Sequence, residues 1–150
     1  MAVRFYETVS DALLQFAVII AMHKGQFVFC QHRERTTLEI PGGHREPGEA
    51  IEVTASRELQ EETGATDFSI QPVCAYSVTE PGNFDGKETF GMLYVAELQS
   101  FGPLHMEIAR IHLLDGCPEH WTYPTIQPLL MEEATRRVFF RLNVSPSASL

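Results

Sequence analysis

The chain has 150 residues, of which 44% are apolar and 21% charged, and its net charge is −9. This length and composition predict one soluble globular domain and exclude a disordered, fibrous or disulfide-rich chain. Lys and Arg form no basic stripe, so we expect no duplex nucleic acid as a partner. No apolar run is long enough to cross a bilayer and no secretion signal is present, so we expect a cytoplasmic protein without membrane attachment.

Three cysteines bear on the compartment and on metal binding. Cys30, Cys74 and Cys117 form no Cys-x-x-Cys pair, so neither a disulfide framework nor a zinc knuckle is predicted. Cys30 and Cys74 lie in apolar, strand-like stretches, which favours buried free thiols.

The apolar pattern predicts strands and helices in an order typical of a mixed sheet between helices. In chain order, strands are predicted at 15–22, 26–31, 38–40, 68–78, 89–98 and 104–114, and helices at 49–63 and 126–142. The first two strands should form a hairpin, and Pro41-Gly42-Gly43 should end the third. Gly64 is placed to end the first helix in the left-handed conformation. We assign the domain to residues 1–144 and a flexible tail to 145–150.

The helix predicted at 49–63 carries an unusual arrangement of glutamates. On a wheel of about 100° per residue, its apolar positions span about 80° and mark the buried side. These positions are Ile51, Ala55 and Leu59. Glu62 falls inside the apolar stripe, with Glu58 and Glu61 beside it. Mutual repulsion, the helix dipole and burial all act against such a patch. A solvated acidic face does not explain an inward-facing carboxylate, whereas a bound Mg²⁺ does.

The same segment resembles the Nudix box, G-x5-E-x7-R-E-U-x-E-E-x-G-U, in which U is an apolar residue. Every specified position is filled, by Gly43, Glu49, Arg57, Glu58, Leu59, Glu61, Glu62, Gly64 and Ala65. The preceding Leu38-Glu39-Ile40-Pro41-Gly42-Gly43 is similar to the lead-in strand of that family. The resemblance implies the fold class α/β (α+β), as an α/β/α sandwich, and a hydrolase that cleaves a phosphoanhydride bond in a nucleoside diphosphate linked to a further group.

The resemblance also implies roles for the glutamates. Glu58 and Glu62 would be the primary ligands of Mg²⁺ or Mn²⁺, and Glu61 a ligand or a close partner. Arg57 and Glu49 would brace the helix and orient the ligands, or form a purely structural salt bridge.

The general base is left open by the resemblance. Besides Glu61 and Glu62, two candidates lie outside the box. Glu97 ends the strand predicted at 89–98, and Glu88 lies at the edge of the loop at 80–87. Each is otherwise an exposed surface glutamate.

Substrate contacts are expected from the loops beside the box. Arg33 and Arg35, with the backbone of Gly42 and Gly43, are candidates for contact with substrate phosphates. The partner is a small nucleotide, and the chain is expected to act as a monomer or a homodimer.

Three functions remain open at the level of the sequence. The first expectation is a nucleoside triphosphate, ordinary or oxidised, cleaved to a nucleoside monophosphate and pyrophosphate. However, the segment Trp121-Thr122-Tyr123-Pro124 stands where MutT-like members carry a base-reading asparagine. The alternative is ADP-ribose or a nucleotide sugar, since Pro81 lies 16 residues after the box, where members of that type often carry a proline. A non-catalytic nucleotide-binding module is the third, although the intact box argues for an enzyme.

Overall fold

The computed structural model describes residues 1–81, 86–105 and 107–144, with side chains to residue 138 in the last helix. The predicted tail at 145–150 lies outside the described residues. The strands are β1 (Ala2–Tyr6), β2 (Leu14–His23), β3 (Gln26–His32), β4 (Gly42–His44), β5 (Ala65–Thr79), β6 (Glu88–Phe101) and β7 (Ile108–Leu114). The helices are a 3-10 turn (Asp11–Leu13), α1 (Ile51–Thr63) and α2 (Gln127–Val144). Neither α-helix, over the residues described, is long and apolar enough to cross a membrane.

One mixed sheet organises the chain, with strand order β1-β5-β6-β2-β3-β7. The central pair, β2 and β6, is parallel, and the other pairings are antiparallel. One edge of β2 pairs with two different strands. Its end at 21–23 pairs with β3, and its start at 16–18 pairs with the short β4. The polypeptide leading to α1 is therefore hydrogen-bonded into the sheet beside the start of β2.

Two apolar layers cover the two faces of this sheet. On one face, Ala17, Ile19 and Ala21 of β2 pack in a cluster with the apolar side of α1. On the other face, Val18 and Ile20 pack in a cluster with α2. Burial on both faces explains the nearly continuous apolar run of β2. This α/β/α sandwich confirms the expected fold class.

The observed strands differ from the predicted ones at four places, where pairing with a distant part of the chain decides the structure. β1 was not predicted, and it pairs along β5 from Ala2 to Tyr6. The Gly-Gly pair expected only to break a strand forms β4. The strand predicted at 38–40 consists of isolated bridges from Glu39 to Cys30 and from Leu38 to Trp121. The sequence predicts one or two strands at 68–78 with an interruption near Pro72, whereas β5 runs through Pro72 as one strand, and a register shift there accommodates the missing donor.

The end of α1 depends on Gly64. Its φ of 75° is left-handed, and its N–H donates to the carbonyl of Gln60 at 2.9 Å. A Cβ at this position would lie 2.7 Å from the carbonyl oxygen of Gly102. Both backbone conformation and the close approach of the neighbouring chain therefore require glycine.

We expect Gly64→Ala to lower the free energy of unfolding more than Gly25→Ala does, as measured by urea denaturation. Gly25 has a similar φ of 81°, and nothing lies within 4 Å of the position that a Cβ would take there. Its substitution should therefore cost only the left-handed conformation, about 1–2 kcal/mol. The clash at Gly64 should add about 1–3 kcal/mol. Equal losses in the two variants would contradict the close packing against Gly102.

Candidate active site

The inward side of α1 carries a carboxylate as well as apolar residues. Glu62 is only 5% exposed, as the helical wheel predicts. Its Oε1 accepts a hydrogen bond of 2.7 Å from the N–H of Gly42, and its Oε2 lies 2.8 Å from Nε2 of His32. Glu58 lies on the adjacent side with a side chain 13% exposed, and Glu61 is 33% exposed. The three box glutamates thus form a cluster that runs from the core to solvent.

Burial has the largest effect on the pKa values of Glu58 and Glu62. Desolvation raises the pKa of Glu62 to about 8, and the charges of Glu58 and Glu39 add to the effect, whereas the N–H of Gly42 opposes it. Desolvation also raises the pKa of Glu58, although Arg57 opposes this. A cation placed among these carboxylates would stabilise their charged forms.

Arg57 joins the loop before α1 to the carboxylates on α1. Its Nε donates to Glu49 at 2.8 Å, and one terminal nitrogen donates to Glu58 at 2.8 Å and contacts Glu61 at 3.4 Å. The other terminal nitrogen donates to the carbonyl of His44 at 3.0 Å. Hydrogen bonds from Arg57 and Thr54 lower the pKa of Glu49 to about 2. Arg57 therefore fixes the position of Glu58 relative to the loop.

Two glycines allow the backbone of β4 to approach the cluster. A Cβ on Gly43 would lie 2.3–2.5 Å from the carboxylate atoms of Glu58. A Cβ on Gly42 would lie 2.5 Å from the carbonyl oxygen of Ala17. Any side chain at either position would displace the ligand cluster or the sheet.

A cavity of about 430 Å³ opens beside the cluster, in the size range of small-molecule sites. Gly42, Gly43 and Glu62 border it on one side. The aromatic residues lining it are Phe16, Tyr76 and Tyr123, and the charged ones include Arg35, Glu39, Glu80 and Lys87. Arg35 is held by an ion pair of 2.7 Å to Glu39. The cavity thus has an acidic end at Glu62, and aromatic residues form part of its walls.

The donor set fits Mg²⁺ or Mn²⁺. Glu58, Glu61 and Glu62 offer hard carboxylate oxygens on a rigid helix, which these ions prefer. Arg57 contacts Glu58 and Glu61, whereas the nitrogen nearest to Glu62 is Nε2 of His32, at 2.8 Å, which carries charge only when protonated. A divalent ion would supply positive charge beside Glu62.

Other predicted site residues lie apart from this cluster. The carboxylate of Glu88 accepts hydrogen bonds from Tyr6 and, at 2.5 Å, from Ser77, and these bonds lower its pKa. Its neighbours Lys87 and Thr89, rather than Glu88, line the cavity. Arg33 is exposed and does not line the cavity either.

Glu97 is separated from the box along the sheet. It is exposed and pairs beside Met22, whereas β4 pairs with residues 16–18 of the same strand. Four residues of strand correspond to about 13 Å. Glu97 borders a second cavity, with Ile20 and Met131 among its walls. The structure therefore does not bring Glu97 to the metal-ligand candidates.

Three residues at the site were not singled out in the sequence. His32 and Glu39 surround Glu62, and the side-chain oxygen of Gln127 accepts a hydrogen bond of 2.8 Å from the N–H of Ile40. Glu39 stands in the lead-in segment that resembles the family, which was the available signal. His32 and Gln127 gave none, because their proximity depends on tertiary packing.

We expect Glu62→Gln to raise the melting temperature of the protein in EDTA at pH 8 by a few degrees, the scale of about 1 kcal/mol in a domain of this size. The pKa of Glu62 is raised in the folded state, so folding loses stability as pH rises from about 4.5 to about 8. Glutamine keeps the acceptor for Gly42 and removes the charge. The gain should shrink toward pH 4, and Glu61→Gln, at a more exposed position, should show a smaller gain. A lower melting temperature at pH 8 would contradict the burial of an uncompensated carboxylate.

Comparison with known proteins agrees with this geometry. A curated relative, the ADP-ribose pyrophosphatase of Bacillus subtilis, is 41% identical over 73 residues, which cover 46% of this chain and 39% of that protein. The crystal structure of the Bacillus subtilis pyrophosphohydrolase BsRppH superposes with a TM-score of 0.72 at 22% identity, covering 89% of this chain and 90% of that one. A NUDIX hydrolase from Nitrosomonas europaea superposes with a TM-score of 0.66 at 22% identity, covering 82% and 89%. The family model of the NUDIX domain matches residues 13–139, and the chain therefore belongs to the NUDIX family.

Proposed function

We propose that this chain hydrolyses the phosphoanhydride bond of a nucleoside diphosphate linked to a second group, with Mg²⁺ or Mn²⁺ held by Glu58, Glu61 and Glu62. The observation that carries the proposal is the buried carboxylate of Glu62, tied to the N–H of Gly42 at the acidic end of a cavity. A metal-binding hydrolase accounts for this arrangement, whereas a structural helix would gain nothing from it.

The three glutamates of α1 would have different roles in hydrolysis. Bound metal would polarise the phosphate oxygens and lower the pKa of water. Glu58 is fixed by Arg57 and Glu62 by Gly42, so these two carboxylates hold and orient. Glu61 is the most exposed of the three and contacts Arg57 at the longer distance of 3.4 Å. We assign Glu61 as the group that accepts the proton of the attacking water, while the bridging P–O bond breaks and the leaving phosphate departs.

The charge of the cavity favours a diphosphate over a triphosphate, which was the first expectation from the sequence. Among the described residues that line the cavity, Arg35 and Lys87 are the Lys and Arg side chains, and Arg35 is paired with Glu39. A triphosphate brings more negative charge into a cavity that already contains Glu39, Glu62 and Glu80. The partial match to an ADP-ribose pyrophosphatase also supports a two-phosphate substrate.

Aromatic side chains of the cavity would hold the base. The half-buried Phe16 and the exposed Tyr123 line the cavity, and the buried Tyr76 supports Phe16, with ring centroids 5.6 Å apart. Such surfaces stack on a planar base. Trp121 packs edge-to-face on Phe29, with ring centroids 5.5 Å apart, and is not among the residues that line the cavity.

We expect ADP-ribose to be cleaved to AMP and ribose 5-phosphate with a kcat/KM at least about tenfold above that for ATP, GTP or 8-oxo-dGTP. The panel should also contain UDP-glucose and a dinucleoside polyphosphate, with Mg²⁺ or EDTA, and products resolved by chromatography and ³¹P NMR. A preference for triphosphates would overturn the substrate assignment. The absence of metal-dependent turnover across the panel would overturn the hydrolase assignment.

The same assay tests the ligand assignment. Glu62→Gln should lower kcat by about 10²–10³, as expected when a group that supports transition-state charge is lost. Glu52→Gln is the matched control, because Glu52 is exposed on the same helix. Glu97→Gln should also keep turnover, since Glu97 borders another cavity. Unchanged turnover in Glu62→Gln would contradict its role.

We expect Gly43→Ala to fold normally and to lose about 10–100-fold in turnover or Mg²⁺ affinity, the range for residues that orient metal ligands. The added methyl group would meet the end of the flexible Glu58 side chain and displace its carboxylate. Gly116→Ala is the control, because nothing lies within 4 Å of its Cβ position. Circular dichroism would verify the fold, and full activity in Gly43→Ala would contradict the contact.

A further inference from the structure

A second set of metal-ligating atoms lies directly behind Glu62. Sγ of Cys30, a ring nitrogen of His32 and a carboxylate oxygen of Glu62 all lie within 4.8 Å of one another. Cys30 and His32 are alternate residues of β3, so their side chains leave the same face of the strand. That face meets the end of α1 where Glu62 is buried. Cys30 is 0% exposed and Glu62 5%, whereas the His32 side chain is 22% exposed, so the set lies at the edge of the interior.

The ring nitrogen of His32 lacks a hydrogen bond in this setting. Nε2 is buried and, among the described residues, makes no hydrogen bond. It lies 2.8 Å from Oε2 of Glu62 and 3.5 Å from Oε2 of Glu39, so both carboxylates are close but neither satisfies it with hydrogen-bond geometry. A buried ring nitrogen without a hydrogen bond is uncommon in folded proteins, and imidazole nitrogen is a common metal ligand.

The chemistry of these three donors differs from that of the box glutamates. A thiolate, an imidazole and one carboxylate form a softer set that favours Zn²⁺ over Mg²⁺. Donors around a tetrahedral Zn²⁺ lie roughly 3.3–3.8 Å apart. Small side-chain rotations would therefore bring these three onto one ion. Water or the carboxylate of Glu39 would complete the coordination.

We propose that Cys30, His32 and Glu62 form a Zn²⁺ site that shares Glu62 with the Mg²⁺ site, so that Zn²⁺ inhibits the hydrolase. Binding breaks the S–H bond of Cys30, forms an S–Zn bond and releases the proton to solvent, with no change of oxidation state. Inhibition rests on the proposed function, because Glu62 bound to Zn²⁺ is withdrawn from Mg²⁺. Binding itself does not rest on it.

Co²⁺ provides a direct spectroscopic test on the metal-free full chain. We expect one Co²⁺ per chain to give a thiolate-to-metal charge-transfer band in the near ultraviolet and strong visible bands of tetrahedral Co²⁺. Zn²⁺ should remove these bands at stoichiometric concentration, whereas millimolar Mg²⁺ should not. A wild-type protein without a thiolate band would overturn the proposal.

Variants of two cysteines show which thiolate gives the Co²⁺ charge-transfer band. Cys30→Ser should abolish it and weaken Zn²⁺ binding at least tenfold in competition with a chromophoric chelator. Cys117→Ser, which changes an exposed thiol, should leave both unchanged. Cys30→Ala repeats the test if serine disturbs the buried position, and circular dichroism verifies the fold of each. A band that persists in the Cys30 variants, or that is lost in Cys117→Ser, would overturn the site.

A second arm measures inhibition. With Mg²⁺ present, Zn²⁺ should inhibit wild-type turnover, and Cys30→Ser should require at least tenfold more Zn²⁺ for the same inhibition. Equal inhibition of the two proteins would overturn the shared role of Glu62. If no substrate is turned over, the proposed function fails, whereas the Co²⁺ spectra still decide whether the site exists.

Discussion

The burial of one carboxylate, Glu62, is the constraint around which the rest of the site is arranged. The same helical register that turns Ile51, Ala55 and Leu59 toward the sheet also turns Glu62 inward, where it is 5% exposed. A charge in that position is unfavourable unless hydrogen bonds or a cation compensate it. The N–H of Gly42 supplies one hydrogen bond, yet burial still raises the pKa of Glu62 to about 8. A divalent metal beside this carboxylate would favour its charged form.

The position of β4 makes this carboxylate available to a ligand. α1 packs on one face of the sheet, whereas the cavity lies on the face covered by α2. The two meet where β4 takes the place of β3 beside the start of β2. At this point Gly42 and Gly43 present backbone without side chains, and Glu58 and Glu62 approach them closely. The absence of two Cβ atoms thus connects the carboxylates of one layer to the cavity of the other.

The sequence was informative where function depends on local periodicity. The helical wheel placed Glu62 inside, and the left-handed preference of glycine placed Gly64 at the end of α1; both hold because they depend on local backbone geometry. Periodicity could not reveal that the Gly-Gly segment joins the sheet as β4, since its pairing partner, β2, lies about 25 residues earlier in the chain. For the same reason, neither His32 nor Glu39 could be linked to Glu62, because their proximity is created by the packing of α1 against β3. Glu97 is a residue that the sequence indicated as a site candidate but that the fold places elsewhere. Its position at the end of an apolar strand was suggestive, but the parallel register with β2 sets it about 13 Å from β4.

Glu62 also lies at the boundary between two kinds of ligand. On α1 it is accompanied by Glu58 and Glu61, which offer oxygen alone, and toward β3 it is accompanied by His32 and Cys30, which offer nitrogen and sulfur. Mg²⁺ gains little from sulfur, whereas Zn²⁺ binds thiolate and imidazole strongly. A carboxylate that belongs to both sets cannot serve both ions in full, because rotation toward one withdraws oxygen from the other. If both proposed sites exist, the metal bound would depend on which side of Glu62 is engaged, and selectivity would follow from donor chemistry on the two sides rather than from the box alone.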